Sequence, residues 1–291
     1  MKSRPLFADD RPTLQALLEH LRPHNVFHLS ALEEFGLVTP AEGGAGPWAI
    51  GAFDGGELRG ALVVLRGTGG IYHTAGDRDT LEVLAAAVHD AVMRGRLALL
   101  SGHTSQLDVL LPLVDESVNG RPDRCHFRTL VPGDLTLPEQ GNGFAKPRLA
   151  TDSDMEKLVD FYQRGFYSLA RLPSRAAWRN RLSEQMAFRT LYMIEDSEGK
   201  VISAAQSSAE GGGAAMLGGV ATLDEYRGQG LSTLCVGALC SHLFAKGMET
   251  VSLFYLKDNV SAARVYEKLG FRAAGEWLLV PMGLGILFGN L

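Results

Sequence analysis

The sequence predicts an α/β (α+β) protein of two domains, each a mixed, mostly antiparallel sheet with flanking helices. Short apolar runs of strand length alternate with helical stretches along the chain. The segment from Val131 to Pro147 carries Pro132, Pro138 and Pro147 with Gly133, Gly141 and Gly143, a poor helix and a poor central strand, so it reads as a linker. The order of elements after this break is also repeated, more faintly, before it. The domains expected are residues 1–140 and 145–291.

In the second half, residues 146–149 form a short strand, and Ser153 with Glu156 suggests a capping box opening a helix to about Phe166. A helix over 174–188 precedes a strand at 191–194, a turn at SEGK and a partner strand at 201–209. A third strand is expected over 214–222, a helix over 230–246, a strand over 251–256, a helix over 261–269 and a terminal strand near Trp277 to Pro281. The first half reads as helices over 11–21 and 29–35, strands at 48–53, 58–65 and 71–74, a helix over 80–94 and a strand at 97–100. GELRGALVVL beside GKVISAAQSS is the clearest internal correspondence.

With 291 residues, 46% hydrophobic and 21% charged, the composition is globular and excludes a disordered tail, a collagen or a coiled coil. A net charge of −5 argues against a nucleic-acid partner. Cys125, Cys235 and Cys240 are too scattered for a disulfide framework or a zinc site and read as small buried side chains, so no metal is expected. The first residues lack a signal peptide's apolar core and no apolar run reaches the roughly 18 residues of a membrane span, so a cytoplasmic protein without a membrane partner is expected.

Specific chemistry is concentrated in VATLDEYRGQGLSTL, Val220 to Leu234, which joins a strand to a helix. Gly228 and Gly230 let the backbone approach a ligand, the helix opens with free N–H groups, Arg227 adds a charge, and Ser232 and Thr233 add hydroxyls. That combination suits phosphate oxygens; a tight strand-to-helix turn without a ligand explains the glycines equally well. A P-loop would need a Lys after its second glycine, and a dinucleotide fingerprint would need Gly or Ala where Thr233 stands. Further on, VSLFYL runs into KDNVSAARVYEKLGF, where Asn259 suits a helix cap, Ala262 and Tyr266 share one helical face, and Gly270 suits the helix end.

The pair VATLDEYRGQGLS and LKDNVSAARVYEKLGF resembles the GNAT superfamily of acyl-CoA-dependent N-acyltransferases, nearest the branch with a GGV-x-T-x-x-x-Y-R-G-x-G motif that includes glycine-acyltransferase-like proteins. The likeness covers Lys146 to about Met282 and is strongest from Gly218 to Phe271; Ser232 replaces the family's final Gly or Ala of the loop signature. It implies two GNAT-like domains in tandem, with a splayed parallel strand pair in the C-terminal one. It further implies N-acetyl (or short-chain acyl) transfer from acetyl-CoA, as co-substrate, to a primary amine of a small molecule or peptide, by direct attack in a ternary complex. In that reading Val220, Ala221 and Thr222 adjoin the pantetheine arm. Arg227, Gly228, Gln229, Gly230, Leu231, Ser232 and Thr233 hold the pyrophosphate, Asn259 and Ala262 adjoin the arm, and Tyr266 is the general acid.

No general base is legible; Glu210, Glu276, Gln206 and a water chain are the candidates, while Glu225 is expected to face solvent. The first half carries Asp77 and Asp79 where phosphate would need donors, so it reads as a degenerate, acyltransferase-like domain. His20, His24 and His28 recur every four residues, but Pro23 interrupts the face, and surface or capping roles are expected. The apolar ending MGLGILFGNL suggests packing across domains or subunits, a homodimer included. The alternatives in function are a CoA-binding sensor without turnover and a nucleotide-phosphate binder.

Overall fold

Alternating apolar positions in the strands and apolar faces on the helices are paired off within each of two compact units. The structure, a computed structural model, describes residues 1–20, 22–39, 46–74, 76–139, 146–165 and 173–283. Contacts divide the chain into unit 1, Met1–Phe127 with Ala274–Leu291, and unit 2, Arg128–Ala273. The elements in chain order are β1 (Lys2–Pro5), α1 (Arg11–His20), α2 (Val26–Phe35), β2 (Trp48–Asp54), β3 (Glu57–Leu65), β4 (Thr68–His73), α3 (Arg78–Met93), β5 (Leu99–His103), α4 (Thr104–Leu107), α5 (Leu111–Val114) and β6 (Asp123–Leu130). There follow β7 (Arg148–Leu149), α6 (Met155–Gly165), α7 (Arg175–Phe188), β8 (Leu191–Glu195), β9 (Val201–Gly211), β10 (Ala214–Thr222), α8 (Leu231–Ala245), β11 (Thr250–Leu256), α9 (Val260–Lys268) and β12 (Arg272–Pro281).

Unit 1 orders its strands β1-β2-β3-β4-β5-β12. Alternation in β3 explains how the sheet is covered: Ala61 and Val63 join Leu14, Leu18, Leu29 and Leu32 of α1 and α2, while Leu62 and Val64 join Leu84 and Val88 of α3. The sequence reading lacks β1, which is exposed along its length and pairs with β2; a sheet edge tolerates Pro5. Sequence order places Trp277 to Pro281 with the C-terminal domain, yet these residues pair antiparallel with His103 to Leu99, and the Trp277 indole donates to Ser101 Oγ at 2.9 Å. Such a pairing has no local signal in the chain. Residues 284–291, most of the apolar ending, lie outside the described residues.

In unit 2 the strand order is β11-β10-β9-β8-β7, antiparallel except for the parallel pair β10–β11. Most bounds follow the sequence expectation, and β10 matches it at both ends. One detail is corrected: the capping box is Thr151 with Asp154, not Ser153 with Glu156, because Arg148 grips the Asp154 carboxylate at 2.7 and 2.8 Å and fixes it over the Thr151 N–H. Helix α8 is apolar on nearly every side and buries Leu231, Cys235, Val236, Leu239, Cys240 and Leu243. Its small Gly237 receives Leu137 and Pro138, and Thr136 N donates to Leu269 O. This part of the expected linker therefore packs on unit 2.

His20 is exposed, as expected, but His24 and His28 differ from the expectation. His28 is buried with Nδ1 2.6 Å from the Tyr72 hydroxyl, and the His24 ring stacks on His103 at 3.8 Å. Burial lowers the pKa of His24 to about 4, helped by His103, and of His28 to about 4; His73 and His103 are also lowered by burial. Each takes a proton more readily unfolded than folded. Their contribution is complete above the ordinary value near 6.5 and is lost as pH falls toward 4. Thermal melts should therefore drop by roughly 5 °C or more between pH 7.5 and pH 5, and a His24→Phe variant should lose less. A melting temperature flat across that interval contradicts the assignment.

Candidate functional site

The site is built where β10 and β11 part. Their parallel pairing covers Ala214–Met216 against Thr250–Ser252 and stops there. On its other side β10 bulges. Gly218 pairs with Gln206 and Ala221 with Ala204, so Gly219 and Val220 together oppose only Ala205. Gly219 has φ +57, a conformation glycine adopts without strain. Gly218, Gly219 and Val220 are half-buried, whereas the rest of β10 is buried. The bulge thus presents irregular backbone at the mouth of the fork, and Tyr162 of α6 donates its hydroxyl proton to Gly219 O at 3.1 Å.

Beyond the bulge, Ala221 and Thr222 rejoin the β9 ladder. Thr222 Oγ1 lies 2.9 Å from Ser203 Oγ and 2.7 Å from Ser232 Oγ, a hydroxyl chain tying the strand end to the start of α8. The Ser232 substitution in the loop signature thereby acquires a role in positioning the helix. Asp224–Tyr226 form one turn of 3₁₀ helix, and Gly228 and Gly230 follow, both with φ +78. Gly230 occupies the cap position of α8 without a side-chain cap, and the first helical bond runs from Leu234 N to Gly230 O. The amides of Leu231, Ser232 and Thr233 therefore point out of the helix with its positive end behind them.

The loop is held from outside. Tyr226 donates its hydroxyl to Asp196 Oδ2 at 3.0 Å, and Lys200 pairs with Glu225 at 3.0 Å, so the β8–β9 turn braces it. Glu225 is exposed, as expected, but has this partner. Arg227 pairs with Asp224 at 2.7 Å, with the two side chains 63% and 59% exposed. An ion pair that exposed contributes only about 0–1 kcal/mol, so a phosphate oxygen competes for the guanidinium easily. Gln229 is exposed and Leu231 buried.

Across the fork, Asn259 caps α9: its Oδ1 accepts from Ala262 N at 3.1 Å and from Ser261 Oγ at 2.9 Å, and neither bond uses the side-chain NH₂. Ala262 is half-buried. Tyr266 is buried, its ring against Tyr255 at 5.4 Å and Phe271 at 5.6 Å. Burial first, then the Tyr255 and Cys240 groups beside it, raise its pKa, so it stays protonated at neutral pH. Arg128 Nε donates to the Tyr255 hydroxyl at 2.7 Å. Cys235 and Cys240 are buried, and burial pushes the Cys235 thiol up to about 12, which makes both inert core groups.

The base candidates separate clearly. Glu210 pairs with Ala215, below the fork, and its carboxylate is taken by Lys246 at 2.7 Å, Ser207 at 2.5 Å and Thr190 N at 2.8 Å. Burial works to raise its pKa, but these partners prevail and hold it below the ordinary value, a poor base. Glu276 belongs to unit 1 and pairs with Arg124 at 3.3 Å. Gln206 lies beside the bulge.

Unit 1 has a similar fork that its own side chains fill. Pairing of β4 with β5 covers Thr68–Leu99 and Gly69–Leu100; beyond it, His73 N donates to Gln106 Oε1 at 3.0 Å. Asp77 accepts from Thr80 N at 2.9 Å and Thr80 Oγ1 at 2.8 Å, so the α3 terminus is capped by its own carboxylate. An anion finds no vacant donor there from Thr80.

Sequence reasoning missed two anchors of the site: Tyr162, which reaches the bulge from α6, and Tyr226, which ties the loop to Asp196. The GGV run was the one local sign of the bulge. Among the described residues no group of His, Cys, Asp or Glu could hold a metal ion, and no helix is long and apolar enough to cross a membrane.

Residues 155–271 match the sequence model of the Acetyltransferase (GNAT) family. Among solved structures, the chain is similar to a tandem GNAT protein from the clavulanic acid biosynthesis pathway, at 16% identity and TM-score 0.66, covering 96% of this chain and 97% of that one. It is similar to a GCN5-related N-acetyltransferase from Sphaerobacter thermophilus, at 14% identity and TM-score 0.69, over 98% and 97% of the two chains. A GNAT-family acetyltransferase from Colwellia psychrerythraea matches at 15% identity and TM-score 0.61, over 97% and 100%. No curated protein matches in sequence. At these identities the structural likeness establishes the fold, which is that of tandem GNAT proteins.

Proposed function

Since residues 155–271 match the sequence model of the GNAT acetyltransferase family and the chain has the fold of tandem GNAT proteins, we propose that unit 2 transfers an acetyl or short acyl group from acetyl-CoA to a primary amine of a small molecule or peptide. One observation carries this reading: the strands part after Met216 and Ser252, and the bulged strand leads directly to the uncapped, glycine-started helix α8. The residues fit the co-substrate. Gly228 and Gly230 have open space where a Cβ would stand, and the amides that the start of α8 leaves without intrahelical partners suit a pyrophosphate. Backbone groups of Gly218 to Val220 suit the pantetheine amides, as does the free NH₂ of Asn259.

When bound, the thioester supplies an activated acyl carbon to the amine lone pair. The backbone N–H near Val220 offers a donor to the carbonyl oxygen as negative charge grows on it. The Tyr266 phenol, kept protonated by burial, supplies the proton that the departing sulfur takes; the proton released by the attacking nitrogen leaves through water, which restores the phenol, and the site otherwise works by holding both reactants in line.

The test is thiol release over a panel of primary amines. Tyr266→Phe keeps the ring packing on Tyr255 and Phe271, so acetyl-CoA affinity and melting temperature should hold while kcat falls about 100-fold. Unchanged kcat removes Tyr266 as the acid. Tight acetyl-CoA binding with no turnover on any amine favours the sensor function instead. Binding of ATP or NAD in place of CoA favours the nucleotide-phosphate reading.

A further inference from the structure

Gln206 has a buried polar atom that the fold leaves idle. The residue is 5% exposed, and its Oε1 is buried without a hydrogen-bond partner. A buried carbonyl without a partner is uncommon in folded proteins and destabilises them. The side chain lies against the bulge: a Cβ on Gly219 would stand 2.7 Å from Gln206 Nε2 and 2.9 Å from its Cδ, and one on Gly218 would collide with Ser208 Oγ. The two glycines of the bulge therefore lie bare beneath the side chains of Gln206 and Ser208.

The face on which this happens follows from β9. Ser203 joins the hydroxyl chain to Ser232 of α8, and Ser207 joins Glu210 with Lys246 at the end of α8, so Ser203 and Ser207 face that helix. Gln206, next to Ser207 in the regular part of the strand, faces the opposite way, the side on which Tyr162 of α6 reaches Gly219 O, and Ser208 Oγ lies over Gly218. That leaves the α8 side to the phosphates and the other side of the same bulge to the second reactant.

We propose that Gln206 receives the acceptor amine at the bulge, its Oε1 accepting one N–H, with the half-exposed Ser208, whose Oγ lies over Gly218, as a second polar contact. This rests on the acyl-transfer reading above. A neutral carbonyl satisfies an N–H but does not neutralise a buried ammonium. Gln206 therefore selects the uncharged amine, whose lone pair stays free to attack while one N–H is held. The acceptor class is a primary amine that carries a further hydrogen-bonding group within reach of Ser208.

Two coenzyme A conjugates test this without knowledge of the natural acceptor: one S-alkylated with CH₂–CO–NH–propyl, the other with CH₂–CO–O–propyl. The amide N–H stands in for the retained proton of the amine, and the ester lacks it. Titration calorimetry on the full chain should show the amide binding about 10-fold tighter than the ester. In Gln206→Met that ratio should fall to about one with ester affinity unchanged, and the variant should melt roughly 2 °C higher, since an idle buried carbonyl is gone. A ratio of one in the unsubstituted protein, a ratio that survives in Gln206→Met, or a variant that melts several degrees lower overturns the proposal while leaving the cofactor site intact. If neither conjugate binds, the cofactor site itself fails and this inference falls with it.

Discussion

Gly230→Asp should weaken acetyl-CoA binding by about 100-fold to 1,000-fold while leaving unit 2 folded. Two unit charges about 4 Å apart near a protein surface repel by roughly 4 kcal/mol, so a carboxylate at the head of α8 opposes a diphosphate strongly. It also competes for the amides of Ser232 and Thr233 that the helix leaves open. Unit 1 carries the same arrangement already, with Asp77 satisfying Thr80 N at 2.9 Å. The backbone cost is smaller: φ is +78 at Gly230, and Asp tolerates the left-handed region better than most residues. Gly247→Asp is the control, because Gly247 has φ +92 and open space at the other end of α8. Titration calorimetry should find normal affinity in that control; equal losses in both variants, or none in Gly230→Asp, removes the phosphate cradle from the loop.

Gly219→Val should be the most destabilising single change at the fork. Its φ of +57 is strained for a β-branched residue, and a Cβ would stand 2.7 to 2.9 Å from Gln206 Nε2, Cγ and Cδ. Backbone strain and overpacking together cost on the order of 3 kcal/mol, which corresponds to roughly 6–12 °C in melting temperature. Turnover should vanish even at temperatures where the variant is folded, because the carbonyl that Tyr162 holds and the backbone at Val220 both move with the bulge. A variant that melts like the unsubstituted protein and keeps its acetyl-CoA affinity shows that the bulge is dispensable.

Legibility in the sequence followed the range of the interaction. Strand β10 and helix α7 rest on neighbours a few residues apart, and their patterns were readable. The same holds for the loop glycines and the Asn259 cap. The capping box at Thr151 was misread because Arg148 and Glu195, the latter from β8, settle which acid is held. Glu210 was one of the candidate bases, yet Lys246, thirty-six residues on, turns it into a structural carboxylate. His28 looked like a surface residue until Tyr72, forty-four residues away, supplied its partner.

By itself the sequence determined the two α/β halves and the segments that carry chemistry, because period, glycine placement and helix caps act through bonds between near neighbours. The tertiary structure alone decided which strand completes unit 1, that the β10–β11 ladder stops at Met216 and Ser252, and that Gln206 is left with an idle carbonyl above the bulge. Those outcomes depend on register and packing between distant segments, where a shift of one residue turns every side chain to the other face.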